Sequence, residues 1–448
     1  MSRLQVMSNE AVVGTLSQQD AGWRFDYAKQ WQAWPLAPAF PLATRSFQDH
    51  EGLRAVEWFF ENLLPEGRLR DLIAQRERIA PRDTWAFLTR YGRDTAGALT
   101  LVPEGSTDGS TDGSTSAMSE ILIPLPKDAL QARIVSAREQ NIPLMAAWEE
   151  IRMSLAGAQE KLGLRIDADG AIFLPEGASP STHIVKPGNV SSLFPFCPAN
   201  EFFCMRLAHV LKLPVPRVDL WHLPEPVYVI ERFDRIRSAT GTVQRLHQID
   251  LCQTMGVAAS KKYESEGGLG LEHLFAVLRG SFIERPAVAA NVIIQWIALN
   301  YLIGNLDAHA KNIAFLLNGP KATVAPFYDL LCVEAYLPRQ TMAMTIAGEN
   351  KPGWVEAMHW DAMAKQAGVA PRLVRNVLAR LVAALPDAMA AVIGDERLLP
   401  TERDFLRAKV LPVIDERCGF VAEALKKPPA KWASLSGMTG LDNIAPKR

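Results

Sequence analysis

The sequence predicts an α+β protein whose main part has two lobes, the first rich in strands and the second rich in helices. Short runs typical of strands dominate Met153–Arg235, whereas helical periodicity dominates from about residue 236 onward. The first hundred residues are set apart because a tandem repeat of Gly, Ser, Thr and Asp at 105–116 follows them. Such a repeat cannot bury apolar surface, so we expect a flexible linker or a surface loop there.

The N-terminal part and the strand-rich half each mix strands with helices. In the N-terminal part, strand patterns and then helical patterns occur at Leu4–Val6, Ala11–Leu16, Trp23–Tyr27, Ala55–Leu64 and Arg68–Ile79. In the strand-rich half, Leu162–Ile166 and Ala171–Leu174 flank Asp167–Gly170, a turn sequence typical of a β-hairpin. His183–Lys186 and Val227–Phe233 are further predicted strands. An amphipathic helix is predicted between them, over Asn200–Leu211.

The helix-rich half contains five predicted helices and one predicted hairpin. The helices are Leu271–Arg279, Ala287–Leu302, Met363–Ala367, Arg372–Leu385 and Thr401–Leu411. The hairpin joins Asn312–Leu317 to Thr323–Pro326 through Asn318-Gly319-Pro320. We therefore divide the chain into an N-terminal subdomain at 1–104, a linker or loop at 105–116, a β-rich lobe at 117–235, a helical lobe at 236–428 and a C-terminal tail at 429–448.

Composition excludes several classes of function. The 448 residues carry 48 basic and 49 acidic side chains, and the net charge of −1 excludes a strongly basic nucleic-acid binder. The five cysteines, an odd number with no C-x-x-C pair, indicate reduced thiols. The N-terminus lacks the pattern of a signal peptide, and the apolar run Val292–Gly304 is too short to cross a bilayer. We expect a soluble, cytoplasmic protein.

Polar side chains that could carry chemistry follow this apolar run, namely Asp307, His309, Lys311 and Asn312. Asp307 and Asn312 have the D-x-x-x-x-N spacing of a kinase catalytic loop. In such a loop the Asp orients and deprotonates the attacking hydroxyl, and the Asn binds Mg²⁺. The pair alone is a weak signal, because this spacing also arises by chance. For His309 a structural hydrogen bond is at least as good an interpretation as chemistry.

Asp329 and Lys186 extend the pattern on either side of the catalytic-loop motif. Asp329 follows the hairpin after Asn312, where kinases place a second carboxylate for Mg²⁺. Lys186 ends a strand, like the phosphate-binding lysine of V-A-I-K, and Glu201 on the next helix is its candidate partner. Taken singly, Asp329 is more typical of a turn or cap, and Lys186 of a strand end at the surface.

A segment of small residues precedes the first hairpin. It contains Ser154, Leu155, Ala156, Gly157 and Ala158, followed by Lys161. Its backbone N–H groups could approach a phosphate with help from the lysine. Four features thus occur in the order expected of a kinase: a phosphate loop, a strand lysine, a catalytic Asp/Asn pair and a metal-binding Asp. Their joint occurrence favours an ATP-dependent phosphotransferase with ATP and Mg²⁺ as cofactors.

At these residues the sequence resembles the HipA-type toxin serine/threonine kinases of bacterial toxin–antitoxin systems. The motifs that carry the resemblance include SLAGAQEK at 154–161, ERFDR at 231–235, KYESEGG at 262–268, DAHAKN at 307–312, PFYD at 326–329 and FENLLPEG at 60–67. The resemblance covers nearly the whole chain. It implies a two-lobed protein-kinase-like fold with an additional N-terminal α/β subdomain.

The resemblance also implies roles for individual residues. It assigns catalysis to Asp307, Mg²⁺ to Asn312 and Asp329, contact with the ATP phosphates to Lys186, and the hinge near adenine to Glu231 and Phe233. Lys161, His309 and Lys311 are further candidates for nucleotide contacts. Ser154 is the expected autophosphorylation site, whose modification expels the phosphate loop and switches the kinase off. Two departures from the family pattern are the repeat at 105–116 and the position of His309, which follows the catalytic Asp whereas ordinary kinases have a His before it.

Partners and substrates are implied in the same way. The family binds a small helix-turn-helix antitoxin of HipB type, so we expect indirect contact with DNA, a dimer within the antitoxin complex and no membrane association. Its known substrates are aminoacyl-tRNA synthetases, notably glutamyl-tRNA synthetase. Two alternatives stay open. One is a catalytically idle, kinase-like corepressor scaffold bound to a DNA-binding antitoxin, and the other is a small-molecule kinase of aminoglycoside or choline type.

Overall fold

The structure is a computed structural model, and it describes residues 2–19, 22–105, 120–140, 142, 144, 160–188, 193–338 and 340–427. Nearly all of the predicted repeat and the whole predicted C-terminal tail lie outside these residues. The described parts form an N-terminal unit, a β-rich lobe and a helical lobe, in that order along the chain.

The N-terminal unit is a five-stranded antiparallel sheet with three helices. Its strands, paired in the order β4-β3-β2-β1-β5, are β1 (Ser2–Ser8), β2 (Ala11–Gln19), β3 (Gly22–Tyr27), β4 (Ser46–Gln48) and β5 (Leu99–Pro103). Its helices are α1 (Ala55–Glu61), α2 (Gly67–Glu77) and α3 (Thr84–Tyr91). Alternate residues of β3 are buried, and Phe25 from that strand packs against Phe60 from α1 with ring centroids 6.0 Å apart. This aromatic layer holds the helices on the sheet.

The β-rich lobe is built on a six-stranded antiparallel sheet. Its strands, paired in the order β10-β11-β9-β7-β8-β6, are β6 (Ile121–Pro124), β7 (Leu162–Ile166), β8 (Ile172–Glu176), β9 (His183–Pro187), β10 (Val218–His222) and β11 (Pro226–Glu231). Its helices are α4 (Lys127–Glu139) and α5 (Cys197–Val210). Between β7 and β8 the turn is closed by a hydrogen bond from Asp167 N to Ala171 O (2.9 Å), and Gly170 takes the positive φ of 86°. The predicted hairpin therefore forms.

The helical lobe contains seven α-helices and two small sheets among its described residues. The helices are α6 (Leu251–Met255), α7 (Leu271–Arg279), α8 (Pro286–Leu302), α9 (Ala357–Gln366), α10 (Pro371–Ile393), α11 (Pro400–Phe405) and α12 (Leu411–Lys426). The sheets pair β12 (Arg235–Arg237) with β13 (Val243–Arg245), and β14 (Gln248–Asp250), β15 (Ala314–Asn318) and β16 (Lys321–Val324) in order. A π-helical turn at Leu406–Val410 joins α11 to α12. Helix α8 is buried nearly all round, as its apolar sequence predicts.

The two-lobed α+β architecture predicted from the sequence is confirmed, but α10 is longer than predicted. The sequence favours an end at Leu385 because Pro386 removes a helical hydrogen bond. In the structure the helix continues to Ile393, and Ala388, Met389 and Val392 are buried beyond the proline. Burial of this apolar face offsets the lost hydrogen bond.

By length and composition α10 could also cross a membrane, with a mean hydropathy of 1.6, and it is the one such helix in the described part of the chain. It packs against α5, α8, α9 and α12. Arg375 on its surface forms an ion pair of 2.7 Å with Asp361 of α9. These contacts are those of a core helix in a globular lobe.

Candidate active site

Lys186 is the centre of a buried ion-pair cluster at the junction of the two lobes. It lies on β9, an interior strand of the six-stranded sheet, and is 7% exposed. Its Nζ donates to Glu201 Oε1 of α5 and to Asp329 Oδ1, both at 2.8 Å. Glu201 is the partner that the sequence predicts. Asp329 comes from the helical lobe, so Lys186 joins the two lobes.

The charges of this cluster depend on one another. Burial opposes the charge of Lys186, but Asp329 and Glu201 together raise its pKa above the usual range. Burial likewise opposes ionisation of Asp329, but Lys186 holds the pKa of that carboxyl well below its usual range. Burial raises the pKa of Glu201 to about 7. Burial and the charge of Lys186 lower the pKa of Lys161 to about 8, and the charges of Asp329 and Glu201 oppose this shift.

The catalytic-loop motif begins directly after α8. Gly304 makes the turn with a φ of 68°, where a Cβ would lie 2.6 Å from Val413 Cγ1. Asn305 then accepts a hydrogen bond from Asp307 N (3.2 Å) and donates to Asp329 O (3.1 Å). One amide side chain therefore fixes the backbone of both Asp307 and Asp329.

Asp307 is held by side chains from two other positions. Asn312 Nδ2 donates to its carbonyl oxygen at 3.1 Å, and Tyr263 Oη donates to its Oδ1 at 2.9 Å. Burial raises the pKa of Asp307 to about 6; the Tyr263 hydrogen bond opposes this shift and the charge of Asp329 adds to it. The carboxyl is thus largely ionised at neutral pH and still basic enough to accept a proton.

Asp329 adopts a left-handed backbone conformation, with φ at 58°. This region is unfavourable for most residues other than glycine, and such conformations cluster at functional sites. The preceding residue, Tyr328, anchors the turn by donating from Oη to Lys311 O at 2.5 Å. The Asp329 side chain is 31% exposed. It therefore contacts Lys186 and is also partly open to solvent.

The predicted hinge residues lie at the end of β11. Glu231 is the last residue of that strand and its side chain is exposed. Phe233 is partly buried, with its ring centroid 5.7 Å from that of Tyr328. The hinge segment is thus next to the residue that precedes Asp329.

A buried network of arginines and aspartates ties this hinge to the N-terminal unit. Asp94 accepts from Arg235 at 2.8 Å and lies 3.5 Å from Arg232, which in turn pairs with Asp234 at 2.7 Å. All four side chains are 2–4% exposed. Gly97, with φ at 83°, brings its N–H within 2.7 Å of Asp234 Oδ2. This network fixes the direction in which the chain leaves β11.

Lys311 and His309 lie on the side of the loop that faces the N-terminal unit. Lys311 Nζ pairs with Asp250 Oδ2 at 2.5 Å and donates to Asn62 Oδ1 at 2.8 Å. His309 is 7% exposed, and burial lowers its pKa to about 4. Its ring makes an edge contact with Tyr263 (5.1 Å between centroids). The nucleotide contacts predicted for Lys311 and His309 stay predictions.

The remaining predicted site residues are not described. Ser154, Leu155, Ala156, Gly157 and Ala158 lie outside the described residues, so the predicted phosphate loop and autophosphorylation site stay predictions. Sequence reasoning missed Tyr263 and Asn305 as neighbours of Asp307. Tyr263 lies within the KYESEGG motif at 262–268, and this motif was the feature of the sequence that could have identified it as a site residue.

The donor set at the cleft fits Mg²⁺. Mg²⁺ prefers oxygen ligands and is often bound through one or two carboxylates together with substrate phosphates. Asp329 offers a carboxylate that is partly open to solvent, and Asn312, which is buried, offers an amide oxygen. The hydrogen bond from Asn312 Nδ2 to Asp307 O directs that oxygen away from the carbonyl. Among the described residues no group of three or more His, Cys, Asp or Glu side chains is clustered as a metal site. Asp329 and Asn312 would hold Mg²⁺ together with phosphate oxygens and water.

Comparison with known proteins identifies the family. The profile of the HipA-like C-terminal domain matches residues 153–389, and that of the HipA N-terminal domain matches residues 4–102. The serine/threonine-protein kinase toxin HipA of Shewanella oneidensis is 32% identical over 446 residues, covering 94% of this chain and 97% of that protein. The chain belongs to the HipA family.

Other comparisons agree with membership of the HipA family. The putative kinase Y4mE of Sinorhizobium fredii is 36% identical over 399 residues, covering 88% of this chain and 92% of that protein. The structure of the S. oneidensis HipA, HipB and operator DNA complex contains a chain similar to this one. The TM-score is 0.77 at 30% identity, covering 95% of this chain and 100% of that one. The predictions of a kinase-like fold and of a HipA-type serine/threonine kinase are confirmed.

Proposed function

We propose that this chain is an ATP- and Mg²⁺-dependent protein kinase that phosphorylates serine or threonine and acts as the toxin of a toxin–antitoxin pair. The observation that carries the proposal is the ion pair between Lys186 and Asp329, beside Asp307 and Asn312. A lysine from one lobe is hydrogen-bonded to a carboxylate from the other, and Asn305 links the backbones of Asp307 and Asp329. This is the arrangement in which kinases bind the phosphates of ATP.

In this proposal Asp307 is the base. Its carboxylate accepts the proton of the substrate serine hydroxyl as the bond from Oγ to the γ-phosphorus forms. The bond from the γ-phosphorus to the bridging oxygen breaks, and ADP leaves. Lys186 binds the phosphates and Glu201 keeps its ammonium group in place. Fixed charges of this kind stabilise a transition state without reorganisation.

Asn312 and Asp329 are the residues that would hold Mg²⁺. When bound, the ion neutralises negative charge on the phosphates of ATP. Asp329 is suited to this role because Lys186 keeps it ionised. Tyr328 and Asn305 fix the backbone at Asp329, and Lys186 Nζ engages its Oδ1, so the carboxylate is oriented before nucleotide arrives.

The biological role is inferred from the family. The Shewanella oneidensis relative occurs in a complex with HipB and operator DNA, and we infer a HipB-type antitoxin as the partner here. A net charge of −1 is consistent with contact to DNA through that partner. The proposed substrate is an aminoacyl-tRNA synthetase, with glutamyl-tRNA synthetase as the first candidate. A cytoplasmic location follows from such a substrate.

The proposed off-switch is autophosphorylation at Ser154. The experiment is mass spectrometry of the purified chain after incubation with Mg²⁺-ATP. Phosphate on Ser154, together with slower inactivation of Ser154→Ala, supports the switch. Incubation without modification of Ser154 contradicts it and leaves the kinase proposal standing.

The test of the kinase proposal is a comparison of wild type with Asp307→Asn. Wild type is expected to release ADP and transfer phosphate to protein, and the variant to lose at least about a hundredfold in rate, the usual contribution of a general base. Binding of Mg²⁺-ATP by the variant controls for folding. An active Asp307→Asn variant overturns the assignment. A wild type that binds nucleotide but never turns it over favours the corepressor scaffold.

A further inference from the structure

The segment Lys262–Glu264 contacts three separate parts of the molecule through three successive side chains. Lys262 Nζ pairs with Glu66 Oε2 of the N-terminal unit at 2.7 Å. Tyr263 Oη donates to Asp307 Oδ1 at 2.9 Å. The Glu264 carboxylate accepts from the backbone N and the hydroxyl of Thr345, at 2.6 and 2.9 Å. The proposed kinase mechanism uses none of these three side chains.

The backbone of this segment is also fixed to the catalytic-loop motif. Lys262 O accepts from Ala310 N at 3.2 Å, within the 307–312 motif. Tyr263 O accepts from Gly268 N at 3.0 Å, which closes the segment into a tight turn. A Cβ at Gly268 would lie 2.2 Å from Lys261 O, so the close approach requires glycine. Tyr263 therefore projects from a rigid support.

The contacts of Asp307 divide into those that fix its backbone and one that orients its carboxylate. Asn305 Oδ1 accepts from its N–H and Asn312 Nδ2 donates to its carbonyl oxygen, and both bonds act on the main chain. Rotation of the side chain is still possible with these two bonds in place. The Tyr263 hydroxyl engages Oδ1, which leaves Oδ2 for the hydroxyl of a substrate.

We infer that Tyr263 is a positioning residue for Asp307, and that Glu66 of the N-terminal unit supports it through Lys262. The inference rests on the proposed catalytic role of Asp307. Its consequence is that the N-terminal unit is a structural part of the kinase site. The kinase lobes therefore depend on the N-terminal unit for a correctly oriented base.

The test compares Tyr263→Phe with Tyr301→Phe in the full chain. Both variants remove a hydroxyl that donates a hydrogen bond at 2.9 Å, but Tyr301 donates to Pro352 O, away from Asp307. For Tyr263→Phe, kcat for Mg²⁺-dependent ADP release is expected to fall about ten- to a hundredfold, the effect of losing one hydrogen bond to a charged group. Its KM for ATP is expected to stay at the wild-type value, and Tyr301→Phe to keep the wild-type kcat. An unchanged kcat in Tyr263→Phe, or an equal loss in both variants, overturns the inference.

A double variant tests the support by Lys262. Lys262→Met is expected to lower kcat less than Tyr263→Phe, and the double variant to match Tyr263→Phe alone, because both changes act through one hydrogen bond. If the fold-losses in kcat of the two single variants multiply in the double variant, the two side chains act independently and this coupling is contradicted. Asp307→Asn distinguishes failure of the positioning role of Tyr263 from failure of the kinase assignment. If it is inactive while Tyr263→Phe has full activity, only the positioning role fails; if it is active, the kinase assignment and the positioning role both fail.

Discussion

Lys186 of the β-rich lobe and Asp329 of the helical lobe form an ion pair of 2.8 Å across the cleft. In the proposed nucleotide complex each has a different partner, since Lys186 binds phosphate and Asp329 binds Mg²⁺. The pair therefore neutralises a buried ammonium group and a partly buried carboxylate until nucleotide enters. Binding of Mg²⁺-ATP must exchange this contact for contacts with the phosphates.

The first prediction concerns the removal of Lys186. In Lys186→Met, Glu201 and Asp329 lose their common cation, and the Glu201 side chain is 1% exposed. Removing one partner of a buried ion pair typically lowers the free energy of unfolding by about 3–5 kcal/mol. We expect the free energy of unfolding to fall by that amount in urea titrations and ATP binding to be lost. Lys409→Met, at an exposed position, is the control, and an equal loss in both would contradict the role of the cluster.

The second prediction concerns the network at the hinge. Asp94→Asn removes the negative charge that Arg235 contacts at 2.8 Å, and three arginines share this carboxylate. We expect a loss of about 3–5 kcal/mol in the free energy of unfolding, because buried guanidinium groups lose their counter-ion. Urea titration followed by tryptophan fluorescence measures the loss. A change of less than about 1 kcal/mol, as at exposed pairs, would show that the network does not hold the hinge.

The third prediction is a pH dependence of stability that arises at His247. This residue stacks on Trp34 of the N-terminal unit at 3.9 Å, and its Nε2 lies 2.8 Å from Leu36 O. Burial lowers its pKa to about 4, against about 6.5 in an unfolded chain. Between pH 4 and pH 6.5 the unfolded state therefore binds a proton at this histidine more readily than the folded state does. The stabilising contribution of neutral His247 is complete above pH 6.5 and decreases as the pH falls towards 4.

The measurement is the free energy of unfolding of wild type and His247→Phe at several pH values between 7 and 4.5. The phenylalanine keeps the stacked ring and removes the titration. Stability of the variant should decrease less steeply with falling pH than that of wild type. His50→Phe, at an exposed position, controls for loss of an imidazole. Parallel curves for wild type and His247→Phe would exclude this contribution.

The fourth prediction concerns Phe233, the aromatic residue of the predicted hinge. Phe233→Ala removes the ring that packs beside Tyr328, next to the proposed adenine site. We expect the KM for ATP to rise about tenfold, because an aromatic contact of this size contributes on the order of 1 kcal/mol or more. The value of kcat at saturating ATP should stay close to wild type. Trp354→Ala, which removes an exposed aromatic from the helical lobe, should leave both constants unchanged.

The sequence predicts contacts well where the order of elements dictates them. Lys186 and Glu201 are 15 residues apart on a strand and the following helix, and the kinase-like order of these elements led to their pairing. Tyr263 and Asp307 are 44 residues apart, and Asp94 and Arg232 are 138 apart. No periodicity links such positions, because tertiary packing alone brings them together. The left-handed backbone conformation of Asp329 could not be predicted from the sequence either, because an aspartate does not by itself indicate the turn in which it lies.

The most direct test of the central claim is a crystal structure of the chain with Mg²⁺ and a non-hydrolysable ATP analogue. We expect the phosphates to lie between Lys186 and Asp329, the ion pair of 2.8 Å between these residues to be opened, and Asn312 and Asp329 to contact the metal. Asp307 should face the terminal phosphate. A nucleotide bound elsewhere, with the ion pair intact, would show that Lys186 and Asp329 do not form the ATP site.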